Sequence, residues 1–231
     1  MKTVAIVPAY QAGASVARVV TGLLKLWPDQ PGKAAVIVVD DGSTDDTAEQ
    51  ARAAGAHVVR HGENRGKGAA LRTALMEALE LGAEMAVSVD ADAQHPPEEA
   101  LRLALDPAPP DALVLGVRNL ERDGAPRANR ISNGISNFFL SLFSRRPLAD
   151  TQCGLRRYPV RASLALDARA DGYAYEAEIV LRAARAGWKI SQVPVRVLYP
   201  DERISHFHVV RDPARIVARV VATLVSAPGP R

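Results

Sequence analysis

Cysteine is almost missing from this chain of 231 residues. Cys153 is the only one, so no internal disulfide can form, and a reducing cytosol fits. Aromatic residues make up only 5% of the sequence, and no nucleic-acid-binding motif occurs, so a DNA- or RNA-binding role is disfavoured. No apolar stretch approaches the roughly 20 residues that a membrane span requires, and nothing at the amino terminus resembles a signal peptide. We therefore expect a cytoplasmic protein that would meet a membrane only from its surface.

Positive charge is in slight excess and is unevenly distributed. The formal net charge is +3, and the 48% of apolar residues is ample for the core of one large α/β domain. The excess arginines follow one another after Arg118, so we expect a basic surface in the second half. Such a surface suits a phosphorylated substrate or anionic lipid headgroups. The arginines concerned are Arg122, Arg127, Arg130, Arg145, Arg146, Arg156 and Arg157.

Short β-branched runs alternate with helical patterns in the first half of the chain. This alternation is typical of a mostly parallel sheet with helices on both faces. The predicted strands span residues 3–7, 35–39, 57–60, 85–89 and 112–117. The predicted helices span residues 16–26, 44–54, 68–81 and 98–105, and we expect Ser43 or Thr44 to cap the second of them.

The alternation is weaker in the second half. We predict helices over residues 130–143 and 176–186, an edge strand over 190–198 interrupted by Pro194, and an amphipathic helix over 213–225. The helix over 130–143 has a broad apolar face that could pack on the core or rest in a membrane interface. We accordingly divide the chain into a domain of residues 1–210 and a C-terminal amphipathic helix and tail of residues 211–231.

Two carboxylates and an amide follow the apolar run 85–89. In an extended chain, Asp90, Asp92 and Gln94 would fall on one side, because alternate side chains share a face. Their oxygens suit a hard cation such as Mg²⁺ or Mn²⁺, which keeps positions open for phosphate oxygens. The alternative is a solvated Asp-rich turn after a buried strand.

Polar residues also follow two other predicted parallel strands. In open α/β sheets, ligands bind in the crevice at the carboxyl ends of the strands. Asp40 or Asp41 could accept hydrogen bonds from a nucleobase or ribose there, or could cap the second helix. Lys67, in a glycine-containing loop before the third helix, could meet a diphosphate near the helix N-terminus. The loop lacks the Ser or Thr of a Walker A motif, and the first strand is followed by no glycine triplet.

These segments together resemble the motifs of family 2 glycosyltransferases. The matching stretches are Val7-Pro-Ala-Tyr10, Val38-Val-Asp-Asp-Gly-Ser43, Asn64-Arg-Gly-Lys-Gly68 and Asp90-Ala-Asp-Ala-Gln-His-Pro96. Within that family, Asp150-Thr-Gln-Cys-Gly-Leu-Arg156 is similar to the polyprenyl-phosphate sugar transferases, notably the dolichyl-phosphate mannosyltransferases. The matches run in order from about residue 3 to about residue 215.

The resemblance implies a GT-A fold with a Rossmann-like nucleotide-binding half. It also implies an enzyme that inverts the configuration at the anomeric carbon of the transferred sugar. The donor would be a nucleotide-diphosphate sugar, GDP-mannose or a UDP-sugar, bound with Mg²⁺ or Mn²⁺. The implied donor-binding residues are Pro8, Tyr10, Asp40, Lys67, Asp90 and Ala91, and the implied metal ligands are Asp90, Asp92 and Gln94.

The acceptor implied by the resemblance is a polyprenyl phosphate, met by a peripheral protein at the membrane. Its phosphate would be held by Arg118, by Arg127 or Arg130, and by Arg203 with Ser205, because guanidinium groups bind phosphate in a bidentate manner. Asp150 could orient the acceptor or pair with an active-site arginine. Asp92, Arg118 and Asp150 are thus the implied catalytic residues.

Other assignments stay open at this point. A polysaccharide, protein or small-molecule hydroxyl could be the acceptor, and Asp150 would then be the first candidate for the general base. A binding protein that holds a nucleotide sugar without turnover is a third possibility. Glu176 and Glu178 could lie near the site or simply stabilise a helix N-terminus, and Cys153 is expected to be a small packing residue.

Overall fold

A seven-stranded sheet with the order β3-β2-β1-β4-β6-β5-β7 forms the centre of the molecule. It is seen in a computed structural model that describes residues 2–27, 35–172 and 174–198. The strands are β1 (Thr3–Ala9), β2 (Val36–Asp40), β3 (His57–Arg60), β4 (Met85–Ser88), β5 (Leu113–Arg118), β6 (Arg156–Pro159) and β7 (Ile190–Val195). The predicted α/β class and the mostly parallel sheet are confirmed.

Helices cover both faces of this sheet. They are α1 (Val16–Leu26), α2 (Thr47–Ala53), α3 (Lys67–Glu80), α4 (Pro97–Ala104), α5 (Arg127–Ser144), α6 (Val160–Ala165) and α7 (Ala174–Arg185). Apolar side chains of α1, α2 and α4 share one core cluster with one face of the sheet. Those of α3, α5 and α7 share a second cluster with the opposite face. Because both faces are covered, the central strands β1 and β2 are buried along nearly their whole length.

Strand directions decide which loops meet. β1 pairs in parallel with β2 and with β4, so the loops that follow these three strands emerge side by side at one edge of the sheet. β6 is antiparallel to both β4 and β5, so β5 points in the same direction as β4. Arg118, the last residue of β5, therefore reaches the same edge as the loop after β4.

Two short elements, β6 and α6, were not predicted. β6 contains Arg156 and Arg157, which we expected to belong to a basic surface. That expectation is wrong, because both side chains are buried at 0% and 2% exposure. Their guanidinium groups donate to backbone carbonyls instead, although Arg157 Nε has no hydrogen-bond partner among the described residues.

Two predicted boundaries also need correction. Helix α2 begins at Thr47 with Asp46 before it, so neither Ser43 nor Thr44 caps it. Their hydroxyl groups accept hydrogen bonds from Gln11 instead, which ties this loop to the end of β1. β7 is the edge strand expected from Pro194, but it ends at Val195 and not at residue 198.

The predicted C-terminal helix over 213–225, and with it the division at residue 211, lies outside the described residues. Within the described ranges, none of the helices combines the length and the apolar character needed to cross a bilayer.

Candidate active site

The loop after β4 turns sharply at the sheet edge. Residues 91 and 92 form a turn, and Ala93 has a left-handed φ of 59°. The backbone N–H of Gln94 donates to Asp92 Oδ1 at 3.0 Å. The extended conformation from which we placed Asp90, Asp92 and Gln94 on one side is therefore wrong, and a turn closed by the Asp92 carboxylate replaces it.

Lys67 is the cation that faces this acidic loop. It is the first residue of α3, and its Nζ lies 2.7 Å from Asp90 Oδ1 and 3.2 Å from Glu176 Oε2. The three side chains are 15%, 29% and 3% exposed. One ammonium group thus links the loop after β4, the start of α3 and the first turn of α7.

The two aspartates of the loop differ electrostatically. Burial opposes the ionisation of Asp90, but the charge of Lys67 and its hydrogen bond hold the pKa of Asp90 below its ordinary value. Asp92 is exposed at the sheet edge, yet partial desolvation and the negative charge of Asp90 raise its pKa to about 6. Neighbouring carboxylates repel each other when both are ionised. A bound cation would remove this repulsion.

The donor set around this loop is small. In the ranges that the structure describes, no group of three His, Cys, Asp or Glu side chains could enclose a metal ion. The candidate ligands Asp90, Asp92 and Gln94 comprise only two carboxylates and one amide. This set fits a cation whose remaining positions are filled by phosphate oxygens and water.

Asp41 supports the loop that carries Lys67. Its carboxylate accepts from the backbone N–H groups of Arg65 at 3.0 Å and Gly66 at 2.7 Å, and it lies 2.6 Å from His61 Nδ1. Gly66 has a φ of 88°, and a Cβ there would lie 2.9 Å from the backbone N of Gly172. The glycine is thus required both by its conformation and by close packing.

The other residues implied for the donor differ in accessibility. Asp40 is fully buried, accepts from the backbone N–H of Ser43 at 3.0 Å and lies 3.1 Å from Arg60 Nε. Pro8 is buried within β1, whereas Tyr10 beyond its end is 36% exposed. Ala91 is buried, and its carbonyl accepts from Ser15 Oγ at 2.6 Å. Of this group, Tyr10 presents the most open side chain.

A largely buried ion pair joins Arg118 to Asp150, and we call it the Arg118–Asp150 clamp. Arg118 Nε and Nη2 donate to the two carboxylate oxygens of Asp150 at 2.7 and 3.1 Å, and the Arg118 backbone N–H donates at 3.1 Å. Asp150 is 1% exposed. Of the two roles considered for Asp150, pairing with a site arginine is the one with a contact in the structure.

A cavity of about 450 Å³ opens beside this clamp. Arg118, Arg130 and Asn133 are among its lining residues, but Arg127 is not. Asn133 was not anticipated, although it lies one helical turn after Arg130 and could have been found from that spacing. It is 4% exposed, and its Oδ1 has no hydrogen-bond partner among the described residues.

The segment from residue 150 to residue 156 joins the clamp to the acidic loop. A Cβ at position 154 would lie 2.2 Å from Asp90 Oδ2, so only glycine allows this approach. Arg156 holds the segment by donating to the carbonyls of Thr151 at 2.7 Å and Cys153 at 2.9 Å, and to that of Glu176 at 2.6 Å. The buried arginine thus positions the segment and the start of α7 together.

Several predicted residues have structural roles or lie elsewhere. Glu178 accepts from the backbone N–H groups of residues 169 and 170, so only Glu176 of the two glutamates belongs to the site. Cys153 is buried 3.9 Å from His95 Nε2, and burial raises the pKa of its thiol to about 12, as suits a packing residue. Arg203 and Ser205 lie outside the described residues.

The comparison with known proteins decides the family. The model of Glycosyl transferase family 2 matches residues 4–160, which contain the acidic loop, Lys67 and the Arg118–Asp150 clamp. The chain belongs to that family. It is a glycosyltransferase, as the resemblance implied.

Two relatives of this glycosyltransferase carry informative names. This chain is 29% identical over 206 residues to an undecaprenyl-phosphate mannosyltransferase of Micrococcus luteus, and the alignment covers 84% of this chain and 83% of the relative. It is 28% identical over 220 residues to a UDP-N-acetylglucosamine–dolichyl-phosphate N-acetylglucosaminyltransferase of Methanococcus voltae, covering 85% of each. Two relatives named for polyprenyl-phosphate acceptors therefore align with most of this chain.

A solved structure shares the fold. Glucosyl-3-phosphoglycerate synthase from Mycobacterium tuberculosis, in complex with Mn²⁺, UDP and glucosyl-3-phosphoglycerate, superposes with a TM-score of 0.73 at 22% identity. The match covers 97% of this chain and 78% of that one. The expected GT-A fold is thereby confirmed for the glycosyltransferase.

Proposed function

We propose that this glycosyltransferase moves a hexose, mannose or glucose, from a nucleotide-diphosphate sugar to a polyprenyl phosphate, with inversion at the anomeric carbon. GDP-mannose and UDP-sugars are the candidate donors, and Mg²⁺ or Mn²⁺ the candidate cofactor. The observation that carries the proposal is the cavity lined by Arg118 and Arg130, joined to the acidic loop through Gly154. The two relatives named for polyprenyl-phosphate acceptors support the choice of acceptor.

The donor half of the mechanism uses the acidic loop and Lys67. Asp90, Asp92 and Gln94 would hold the divalent cation, which when bound neutralises charge on the leaving diphosphate. Lys67, at the N-terminus of α3, would move from Asp90 and Glu176 towards the diphosphate oxygens, because the helix N-terminus also attracts anions. Pro8, Tyr10, Asp40 and Ala91 would contact the remainder of the donor.

The acceptor half uses the arginine clamp. Asp150 fixes the guanidinium plane of Arg118 beside the cavity, and Arg130 lines the same cavity. Glu121 lies 3.9 Å from Arg130 and is 89% exposed, so an acceptor phosphate would displace only a weak, solvated ion pair. Together they would orient one phosphate oxygen of the acceptor towards the anomeric carbon. Arg203 and Ser205 remain proposed contributors from the C-terminal part of the chain.

The transfer itself requires no proton acceptor. The anionic phosphate oxygen forms the new bond to the anomeric carbon from the side opposite the diphosphate, and the old carbon–oxygen bond breaks with its electron pair leaving on the diphosphate. A hydroxyl acceptor would instead need a general base. Asp150 has both carboxylate oxygens engaged by Arg118, and this arrangement favours the phosphate acceptor.

The test is transfer from a panel of nucleotide sugars to undecaprenyl phosphate in detergent, with Mn²⁺ or with EDTA. A lipid-linked sugar should form only with the metal, and Asp92→Ala should abolish it. Arg130→Ala should raise the KM for the acceptor by roughly tenfold or more, as loss of a charge-assisted hydrogen bond predicts. Arg127→Ala, three residues earlier on the same helix, is the matched control and should leave that KM unchanged.

Three outcomes would count against the proposal. Transfer only to a polysaccharide, protein or small-molecule hydroxyl would replace the acceptor. Binding of a nucleotide sugar without transfer to any acceptor would make the chain a binding protein. Equal effects of Arg127→Ala and Arg130→Ala on the acceptor KM would show that the cavity is not the acceptor site.

A further inference from the structure

Helix α5 has its polarity reversed relative to an ordinary surface helix. Along one side, its exposed side chains are large and apolar, with an exposure of 44–64%, and they recur at spacings of four, three and four residues. We call this set the α5 stripe: Ile131, Ile135, Phe138 and Leu142. The inward side chains are mostly small and polar, namely Ser132, Asn133, Ser136, Leu140 and Ser144.

Hydrogen bonds attach the inner side of α5 to the loop before β6. Ser136 Oγ lies 2.8 Å from Thr151 Oγ1, and Asn137 Oδ1 accepts from the Thr151 backbone N–H at 2.8 Å. Gln152 Nε2 donates to Ser132 Oγ at 3.1 Å. These contacts explain how the helix is held without burying the α5 stripe. A contiguous row of exposed apolar side chains marks an interaction surface.

The charge around the α5 stripe selects its partner. From Gly124 to Ala149 the chain contains four arginines and no aspartate or glutamate. Arg127 starts the helix and Arg145, in a left-handed conformation, ends it, and both are exposed. An apolar row with cationic residues at both ends matches a bilayer surface, where acyl chains meet anionic headgroups.

Two other occupants fit less well. A second copy packed antiparallel on the same face would place Arg127 and Arg130 against Arg145 and Arg146, so like charges would meet. The C-terminal residues 211–231 contain four arginines and one aspartate, so they too carry the same sign of charge as the helix ends. The arginines at the ends of α5 would repel either of these occupants, whereas they would attract an anionic surface.

We propose that the α5 stripe is a docking surface for an anionic lipid bilayer. Arg130 and Asn133, in the first half of the same helix, line the cavity beside Arg118. A helix lying in the interface would therefore hold that cavity at the level of the headgroups. This last step rests on the proposed function, because it places the acceptor phosphate in the cavity while the polyprenol remains in the bilayer.

The test is sedimentation of the full chain with vesicles of phosphatidylcholine, with and without phosphatidylglycerol, in the absence of substrates. The wild type should bind the anionic vesicles and release them as salt is raised. Phe138→Asp or Leu142→Asp should each weaken vesicle binding by roughly tenfold or more, because an apolar contact is lost and a negative charge is added that the anionic headgroups repel. Met76→Asp, on an α3 side chain that is 49% exposed, should have no effect.

Melting curves should show that these variants are folded, since the substituted side chains are exposed. The proposal is overturned if the full chain does not bind anionic vesicles, if both stripe variants bind normally, or if Met76→Asp loses binding equally. Light scattering that shows a dimer of the wild type, dissociated by Phe138→Asp, would overturn it in favour of self-association.

Transfer to undecaprenyl phosphate in detergent separates this proposal from the proposed function. Phe138→Asp should retain that transfer. Vesicle binding without any transfer would count against the proposed function alone, whereas transfer in detergent without vesicle binding would count against the docking surface alone.

Discussion

Replacing Lys67 by Met should destabilise the protein and change how it responds to metal. The ammonium group lies 2.7 Å from Asp90 and 3.2 Å from Glu176, and its removal leaves two carboxylates without their cation. Breaking a buried ion pair costs about 3–5 kcal/mol. Asp90 is 29% exposed, so we take the lower end, about 3 kcal/mol, which corresponds to a fall in Tm of roughly 6–12 °C for a domain of this size.

A divalent cation should partly restore the stability of Lys67→Met. In the wild type the ammonium group occupies Asp90 Oδ1, so it competes with the proposed metal for that oxygen. Without it, Mn²⁺ alone should bind more tightly and should raise the Tm of the variant by more than that of the wild type. Binding of the nucleotide sugar should nevertheless weaken, because the proposed contact with the diphosphate is lost.

The measurements are thermal melts with and without Mn²⁺, together with calorimetric titration of Mn²⁺ and of GDP-mannose or UDP-glucose. Arg65→Met is the matched control, since Arg65 is an exposed cation two residues earlier, in the loop that leads into α3. Lys67 does not have the role assigned to it if Lys67→Met has the Tm of the wild type, or if Mn²⁺ binds the variant more weakly than the wild type.

Three further predictions concern the same edge of the sheet. Asp92→Asn should abolish transfer and raise the Tm at pH 7 only slightly, because the raised pKa of about 6 disfavours the ionised form in the folded state but water screens this exposed side chain. The gain should shrink as the pH falls below that pKa, and a lower Tm at pH 7 would contradict this. Gly154→Ala should impair metal-dependent donor binding, as measured by calorimetry, because its Cβ would meet Asp90. Gly134→Ala is the control, since its Cβ would meet nothing within 4 Å. In thermal melts this control should be neutral or stabilise the protein by up to about 1 kcal/mol. Arg156→Met should lower the free energy of unfolding, measured by urea denaturation, by about 3–5 kcal/mol, because three carbonyls and Glu176 lose a buried donor. A loss no larger than that of a surface substitution would contradict the positioning role of Arg156.

Much of the sheet could be predicted because its strands obey a simple pattern. β1 to β5 are short apolar runs separated by amphipathic helices, and this alternation specifies parallel neighbours. β6 could not be found in this way. Its four residues include Arg156 and Arg157, which look like a solvated loop, and their burial depends on carbonyl acceptors that tertiary structure alone brings near.

The candidate site was predictable in part for a related reason. Loops after parallel strands converge at one edge, so Asp90 and Asp40 could be placed from the chain alone. The partnership of Lys67 with Glu176 joins residues more than a hundred positions apart, and no local pattern signals it. The turn at Asp92 was one of two alternatives that the sequence left open, and the left-handed Ala93 that it requires is a conformation that alanine rarely takes.

The antiparallel strand β6 has a consequence for biosynthesis. β5 is connected to β1, β2, β3 and β4 only through β6, which follows it by about 40 residues in the chain. At ribosomal elongation rates, the interval between them is roughly 2–8 s. The strands β1 to β4 can pair during this delay, whereas β5 must wait for its neighbour. The nascent chain should therefore acquire protease resistance in two stages, with the part that contains β1 to β4 protected first.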